Sequence, residues 1–127
     1  SSARSASFRN RSAFSKRAKN ADPWDDARMI IVTGRIVVRE GALQKLRPAM
    51  EAMIKASRSE PGCLEYYYGT DLTNADAFIV LEKWETWEAL DAHFERPHLK
   101  AWRAALAALG LVSRDMIAAD EREMKEV

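Results

Sequence analysis

The stretch from Phe78 to Arg103 constrains the fold more than any other, because the spacing of its apolar residues changes midway. From Phe78 to Trp84 apolar residues alternate as in a half-buried strand, and from Thr86 onward they recur at helical spacing. The stretch also contains both histidines of the chain and three of its four tryptophans. A strand that passes directly into an amphipathic helix is predicted to form the wall of a pocket.

Two helices are predicted after this strand. The first carries an apolar stripe formed by Trp87, Leu90 and Phe94. His93 lies at the edge of that stripe, so its ring is expected to face partly inward. Pro97 suits the first position of a second helix, which is predicted to end at Gly110. The break at Pro97 can direct His98 back toward His93 or toward the strand. Glu82 has apolar neighbours on its own strand face and is the carboxylate expected to be partly buried.

The remaining segments predict the order of the whole domain. They are a strand over residues 29–39, a helix over 43–57, a strand over 63–69, a turn over 71–76 and a last strand over 111–119. Pro48 must either kink the first helix or mark its true start. The order strand, helix, strand, strand, helix, strand predicts an α+β, ferredoxin-like βαββαβ fold, in which an antiparallel sheet carries its helices on one face.

The second face of this sheet also needs a cover. The apolar residues assigned to that face are Ile30, Val32, Ile36, Val38 and one set from residues 79–83. A second copy of the sheet is the most economical cover. The sequence therefore predicts a homodimer built as a dimeric α/β barrel.

The distribution of charge separates the first 28 residues from the rest of the 127-residue chain. Residues 1–28 carry seven basic and three acidic groups, a net charge of +4, and residues 29–127 carry thirteen and sixteen, a net charge of −3. We expect residues 1–28 to be a basic extension that is flexible or packed on a partner, residues 29–119 to be one domain, and residues 120–127 to be a charged tail. No recognition motif accompanies the basic residues, so nucleic acid is not an expected partner.

The cysteine count and the hydropathy of the sequence are used to predict the cellular location. Cys63 is the single cysteine, which excludes an intrachain disulfide and makes a reducing, cytoplasmic compartment the simplest expectation. Within an apolar strand this thiol is expected to be a core residue rather than a catalytic one. No apolar run approaches the roughly 18 to 20 residues of a membrane span, so no membrane partner is expected.

Three segments carry a recognisable pattern: P-G-C-L-E-Y at residues 61–66, F-I-V-L-E-K-W-E at residues 78–85 and A-L-D-A-H-F-E-R-P-H-L-K-A-W at residues 89–102. Together they resemble the antibiotic biosynthesis monooxygenase superfamily, which includes cofactor-independent quinol monooxygenases. The resemblance implies a homodimer with one pocket per subunit between sheet and helices. It also implies that dioxygen reacts directly with a deprotonated hydroquinone or polyphenol, without a metal, a flavin or any other cofactor.

This chemistry requires a base that works near pH 7, a flat apolar slot and a group that holds an oxyanion. The expected catalytic residues are His98, His93 and Glu82. The expected substrate-binding residues are Trp84, Trp102, Tyr66 and Tyr68 for the ring, and Arg35 and Arg103 for its oxygen atoms. We predict His98 as the base, because the N-terminus of a helix favours neutral imidazole over imidazolium. His93 would then orient the substrate, and Glu82 would orient a histidine.

The resemblance also leaves other functions to be weighed. Autoinducer-sugar isomerases share the E-x-W and H-x-x-x-P-H region, and a non-catalytic barrel could bind a small ligand without turnover. Haem-degrading relatives have an asparagine at the position of Gly34 and a haem-ligand histidine at the position of Arg103, so haem degradation is not expected. Non-haem iron on His93, His98 and Glu82 would have suitable ligand types but no diagnostic spacing, so no metal is expected.

Overall fold

A computed structural model describes residues 29–127, which form one antiparallel sheet of four strands with three helices. In chain order the elements are β1 (Ile30–Val38), α1 (Ala42–Arg58), β2 (Cys63–Asp71), β3 (Asn74–Trp84), α2 (Trp87–Phe94), α3 (Pro97–Leu109) and β4 (Leu111–Asp120). The strands lie side by side in the order β2-β3-β1-β4. This confirms the predicted ferredoxin-like α+β fold. The basic extension expected at residues 1–28 lies outside the described residues.

The core lies between the helices and one face of the sheet. The alternation predicted for β3 is confirmed, since Phe78, Val80, Glu82 and Trp84 are all buried. In β1 the assignment of faces was wrong. Ile30, Val32, Ile36 and Val38 belong to the core beneath the helices, and the first three pair with buried residues of β3. The opposite face instead carries Ile31, Val37, Ile79, Leu81 and Ile117.

The connection between β2 and β3 is shorter than predicted. Strand pairing continues to Asp71 and Asn74, so the turn consists of Leu72 and Thr73 and not of residues 71–76. One carboxylate oxygen of Asp71 accepts hydrogen bonds from the Thr73 hydroxyl at 2.7 Å and the Thr73 backbone N–H at 2.9 Å. These bonds lower the pKa of Asp71 to about 2. The local side-chain bonds allow a two-residue turn where composition suggested a longer loop.

The helices are amphipathic and pack through their apolar faces. Pro48 lies inside α1, which begins at Ala42, so this proline does not mark the start of the helix. None of the helices described for residues 29–127 has the length and apolar character needed to cross a membrane. The predicted division between α2 and α3 is confirmed, since Pro97 is the first residue of α3 and Gly110 follows its last turn.

Helix α2 is rotated relative to the predicted stripe. Leu90 and His93 face the core, whereas Trp87 is 43% exposed and Phe94 is 37% exposed. His93 is 1% exposed, so it is a core residue and not an edge residue. A histidine ring can occupy this position because both of its nitrogens have polar partners, which pattern analysis of one helix cannot detect.

Candidate active site

A tight turn after α1 places a carboxylate inside the protein. The Cys63 backbone N–H donates to the Glu60 carbonyl at 3.2 Å, which closes a turn over Glu60, Pro61, Gly62 and Cys63. Gly62 has a φ of 86°, and proline followed by such a glycine is typical of a type II turn. The Glu85 backbone N–H donates to the Gly62 carbonyl at 2.8 Å and ties the turn to the end of β3. The Glu60 side chain is thereby held in the core, 4% exposed.

Both histidines donate to this one carboxylate. His93 Nδ1 lies 2.7 Å from Glu60 Oε2, and His98 Nε2 lies 2.6 Å from the same oxygen. A carboxylate accepts and does not donate, so the hydrogen-bond network places the proton of His93 on Nδ1 and that of His98 on Nε2. The break between α2 and α3 therefore directs His98 toward His93, as predicted, and the two ring centroids are 6.2 Å apart.

The second nitrogen of His93 faces a tyrosine. His93 Nε2 lies 3.3 Å from the Tyr66 hydroxyl, and that hydroxyl is 3.5 Å from the hydroxyl of Tyr68. Burial raises the pKa of Tyr66, and it raises the pKa of Tyr68 to about 12, so both groups remain O–H donors at neutral pH. Burial also lowers the pKa of His93, although Glu60 opposes that shift. At neutral pH His93 is therefore a neutral imidazole whose Nε2 accepts a proton.

His93 is part of the wall of a cavity of about 240 Å³ between the sheet and the helices. The lining consists mainly of apolar and aromatic side chains, including Ile36, Tyr66, Tyr68, Leu99, Trp102 and Met116. A cavity of about 150 Å³ holds a benzene molecule. The space beside His93 is therefore suited to a substituted aromatic ring.

Glu82 is the buried carboxylate of this cavity, as the sequence predicted. Burial raises its pKa, and the N–H of the Trp84 indole, which donates to Glu82 Oε1 at 3.0 Å, opposes that shift. Trp84 does not line the cavity. Its ring packs on His93 with a centroid distance of 4.7 Å. Trp84 thus contacts both His93 and Glu82 without being part of the cavity wall.

Two arginines extend into the cavity lining. Arg103 lines it together with Phe94, and the Arg103 guanidinium carbon lies 5.2 Å from the centre of the Phe94 ring. Arg114, in β4, is a second lining residue that the sequence analysis did not select. Arg35 lies on the opposite face of the sheet, where its Nε donates to Asp71 at 2.9 Å. The structure therefore brings Arg103 and Arg114 to the cavity and leaves Arg35 away from it.

The predicted catalytic residues divide into two groups. His93 and Glu82 line the cavity, and His98 lies outside the lining, on the far side of Glu60. Tyr66, Tyr68 and Trp102 all reach the cavity, as expected for ring-binding residues. Cys63 is partly buried and packs against the core, and burial raises the pKa of its thiol to about 12, which disfavours a reactive thiolate.

Within the described residues, Glu60, His93 and His98 also have the ligand types of a metal site. The partner carboxylate of the two histidines is thus Glu60 and not Glu82. His93 Nδ1, His98 Nε2 and Glu60 Oε2 are already engaged in the hydrogen bonds above, and Arg96 Nε lies 3.4 Å from Glu60 Oε1. A guanidinium at this distance would repel a divalent cation, so the geometry favours a hydrogen-bonded unit.

The model of the antibiotic biosynthesis monooxygenase family matches residues 29–105. The chain belongs to this family. The match includes Glu60, Glu82, His93 and Arg103, whereas Arg114 follows it. The matched region therefore contains most of the residues that line the cavity.

Individual relatives agree with this assignment. Rv0793 of Mycobacterium tuberculosis, named provisionally as a monooxygenase, is 32% identical over 82 residues that cover 63% of this chain and 78% of the relative. A protein of Synechocystis sp. designated sll1783 is 36% identical over 69 residues, which cover 54% of this chain. The match spans 47%, about half, of the length of the Synechocystis relative.

Solved structures share the fold. A provisionally named antibiotic biosynthesis monooxygenase from Deinococcus radiodurans has a TM-score of 0.72 at 24% identity, covering 77% of this chain and 97% of that one. The structure of Rv0793 has a TM-score of 0.68 at 26% identity, with coverage of 77% and 97%. These similarities place β1 to β4 and the three helices in a known arrangement.

Proposed function

We propose that this protein is a cofactor-independent monooxygenase of a quinol or a polyphenol-like aromatic. One observation carries the proposal: a buried, neutral histidine presents a proton-accepting nitrogen at the wall of an aromatic-lined cavity. Such a base can remove a proton from an aromatic hydroxyl group, which leaves an electron-rich anion. We assign this role to His93 in place of His98, because His93 lines the cavity and His98 does not.

The other groups of the cavity suit the same reaction. The rings of Tyr68 and Trp102 lie 6.2 Å apart between centroids and offer flat apolar surface to a bound ring. The guanidinium groups of Arg103 and Arg114 can stabilise the developing oxyanion. Glu82, whose pKa is raised by burial, is a second proton acceptor. The site thus combines a base, an apolar slot and a source of positive charge.

The proposed reaction balances without an added cofactor. The substrate anion reduces dioxygen and forms a carbon–oxygen bond, and the peroxide formed on the substrate takes up the proton that His93 removed. Loss of water then breaks the oxygen–oxygen bond. One oxygen atom remains on the substrate as a carbonyl, the other leaves as water, and the substrate supplies the four electrons.

Oxygen consumption by metal-stripped protein with a panel of quinols tests this function. We expect uptake equal to the quinol consumed, together with a product that carries one oxygen atom from labelled dioxygen. Binding of a quinol without oxygen uptake would contradict the proposal and favour the small-ligand-binding barrel. Conversion of an autoinducer-type sugar without oxygen uptake would favour the isomerase.

The proposed base predicts the pH dependence of turnover. Burial holds the pKa of His93 below its ordinary value of 6.5, so the proton-accepting form persists to lower pH than in a free histidine. We expect kcat to rise with pH through an ionisation below pH 6.5 and then to reach a plateau. The measurement is kcat between pH 4.5 and 9 with several quinols. If kcat instead reached half of its plateau value above pH 7, at a pH that varied with the pKa of each quinol, the ionisation would belong to the substrate and not to His93.

We also propose that the protein is a homodimer that associates through the outer face of the sheet. Ile79, in the central strand β3, is 38% exposed on this face, beside Leu81 and Ile31. A contiguous apolar sheet face is typical of an interface. The helices cover only the other face.

Ile79→Glu is expected to weaken this dimer by at least tenfold, because association would bury an unpaired carboxylate. Light scattering coupled to size exclusion, over a range of micromolar concentrations, gives the measurement. Leu72→Glu is the matched control, since Leu72 is 97% exposed at the tip of the β2–β3 turn and not on the sheet face. A monomeric wild-type protein, or equal association of both variants, would contradict the proposed interface.

A further inference from the structure

We propose that Glu60 is a positioning residue for His93, and that His98 is the solvent-side end of the same hydrogen-bonded unit, so that charge on His98 influences proton uptake at His93. The turnover readouts of this inference rest on the proposed function. The spectroscopic readouts do not, because they follow the histidine rings in protein without substrate.

The first step of the argument is the shared oxygen. Glu60 Oε2 accepts from His93 at 2.7 Å and from His98 at 2.6 Å. The bond from His93 Nδ1 leaves Nε2 as the acceptor that faces Tyr66 and the cavity. Glu60 thereby selects the tautomer of His93 that can act as a base. When His93 takes up a proton, the same carboxylate stabilises the imidazolium.

The second step is the gradient of exposure along the unit. The side chains of His93 and Glu60 are 1% and 4% exposed, and that of His98 is 25% exposed. His98 is therefore the member of the unit that solvent reaches, while His93 reaches only the cavity side. Two imidazolium rings on one carboxylate oxygen repel each other, so the unit holds one positive ring more readily than two.

The third step concerns the other charged and titratable groups near His93, which belong to the elements packed around it. They are Glu60 after α1, Tyr66 in β2, Glu82 in β3, Arg96 between the helices, and His98 and Arg103 in α3. Positive charge on His98 or Arg103 disfavours the imidazolium form of His93, and the Glu60 carboxylate favours it.

Glu60→Gln tests the positioning role, because either orientation of the new amide impairs the base. If its oxygen faces the histidines, the tautomers survive but the charge that stabilises the imidazolium is lost. If its nitrogen faces them, both rings must change tautomer and His93 Nε2 carries the proton. We expect kcat to fall by about 100- to 10,000-fold while KM changes little, since Glu60 does not line the cavity.

His98→Gln tests the coupling. The glutamine amide can still donate to Glu60 but cannot carry the positive charge that lowers the pKa of His93, so His93 is expected to titrate at a higher pH than in the wild type. Nitrogen NMR of labelled histidine reports which ring nitrogen carries the proton and at which pH each ring titrates. In turnover, the pH at which kcat falls on the acid side should shift in the same direction as the pH at which His93 titrates by NMR.

Glu95→Gln is the matched control, because Glu95 precedes Arg96 and forms an exposed pair with Lys100 at 3.2 Å, away from Glu60. It should leave the histidine spectra and kcat unchanged. The inference is overturned if His93 carries its proton on Nε2 in the wild type, or if His98→Gln leaves the titration of His93 unmoved. Stoichiometric Zn²⁺ uptake that Glu60→Gln and His98→Gln both abolish would also overturn it. If the NMR results agree but no quinol supports oxygen uptake, the proposed function fails and the unit stands.

Discussion

Replacing His93 with glutamine is expected to lower oxygen uptake with a quinol by about 100- to 10,000-fold, the range of general base catalysis. The glutamine amide can donate to Glu60 as Nδ1 of the imidazole does, so the buried carboxylate keeps a partner. The amide has no nitrogen that accepts a proton toward Tyr66 and the cavity. The loss should therefore appear in kcat and not in the integrity of the fold.

The measurement is steady-state oxygen consumption at pH 8, accompanied by a thermal unfolding curve for each variant. His98→Gln provides the comparison, because it makes the same chemical change on the other side of the carboxylate. At this pH it should cost less activity than His93→Gln. If His98→Gln abolished uptake and His93→Gln retained it, the base would be His98, as helix position alone suggested.

The sequence predicted the order of elements because each depends on local spacing. The alternation in β3 and the position of Pro97 are properties of a few neighbouring residues, and both are as predicted. The face of β1 was assigned incorrectly because apolar residues occupy both of its faces, so only the packed helices distinguish one set from the other. The burial of Glu82 could be predicted from its strand neighbours, whereas its indole partner Trp84 was expected to contact substrate instead.

Glu60 shows why the site was predicted only in part. It lies 33 residues before His93 in the chain, and their contact depends on how the turn after α1 packs against α2. The local signal was the dipeptide Pro61-Gly62, which predicts a tight turn and thus a fixed direction for the side chain that precedes it. Helix position favoured His98 as the base, but it could not show that Glu60 would separate His98 from the cavity.

Gly34→Ala is expected to cause a large loss of stability in the described domain. A Cβ at this position would lie 2.2 Å from the Asp115 carbonyl oxygen and 2.7 Å from the Met116 Cα, both in the backbone of β4. Backbone in the middle of a paired strand cannot move aside without breaking the β1–β4 ladder. Overpacking of this kind costs about 1–3 kcal/mol, and more where the backbone must shift. For a domain of this size we expect a fall in Tm of roughly 5–20 °C.

Gly69→Ala is the matched control for this effect, because a Cβ at Gly69 meets nothing within 4 Å and the residue also lies in a strand. It should leave Tm unchanged or raise it slightly, since alanine restricts the unfolded chain. Both variants should be compared at one protein concentration, as dimerisation would make Tm depend on it.

The close approach of β4 to Gly34 also bears on the comparison with haem-degrading relatives. The asparagine that the resemblance places here in haem-degrading relatives is larger than alanine, so Gly34→Asn should destabilise the domain at least as much. Equal Tm values for Gly34→Ala and Gly69→Ala would show that β4 can move away from β1 and would contradict the expected clash at Gly34.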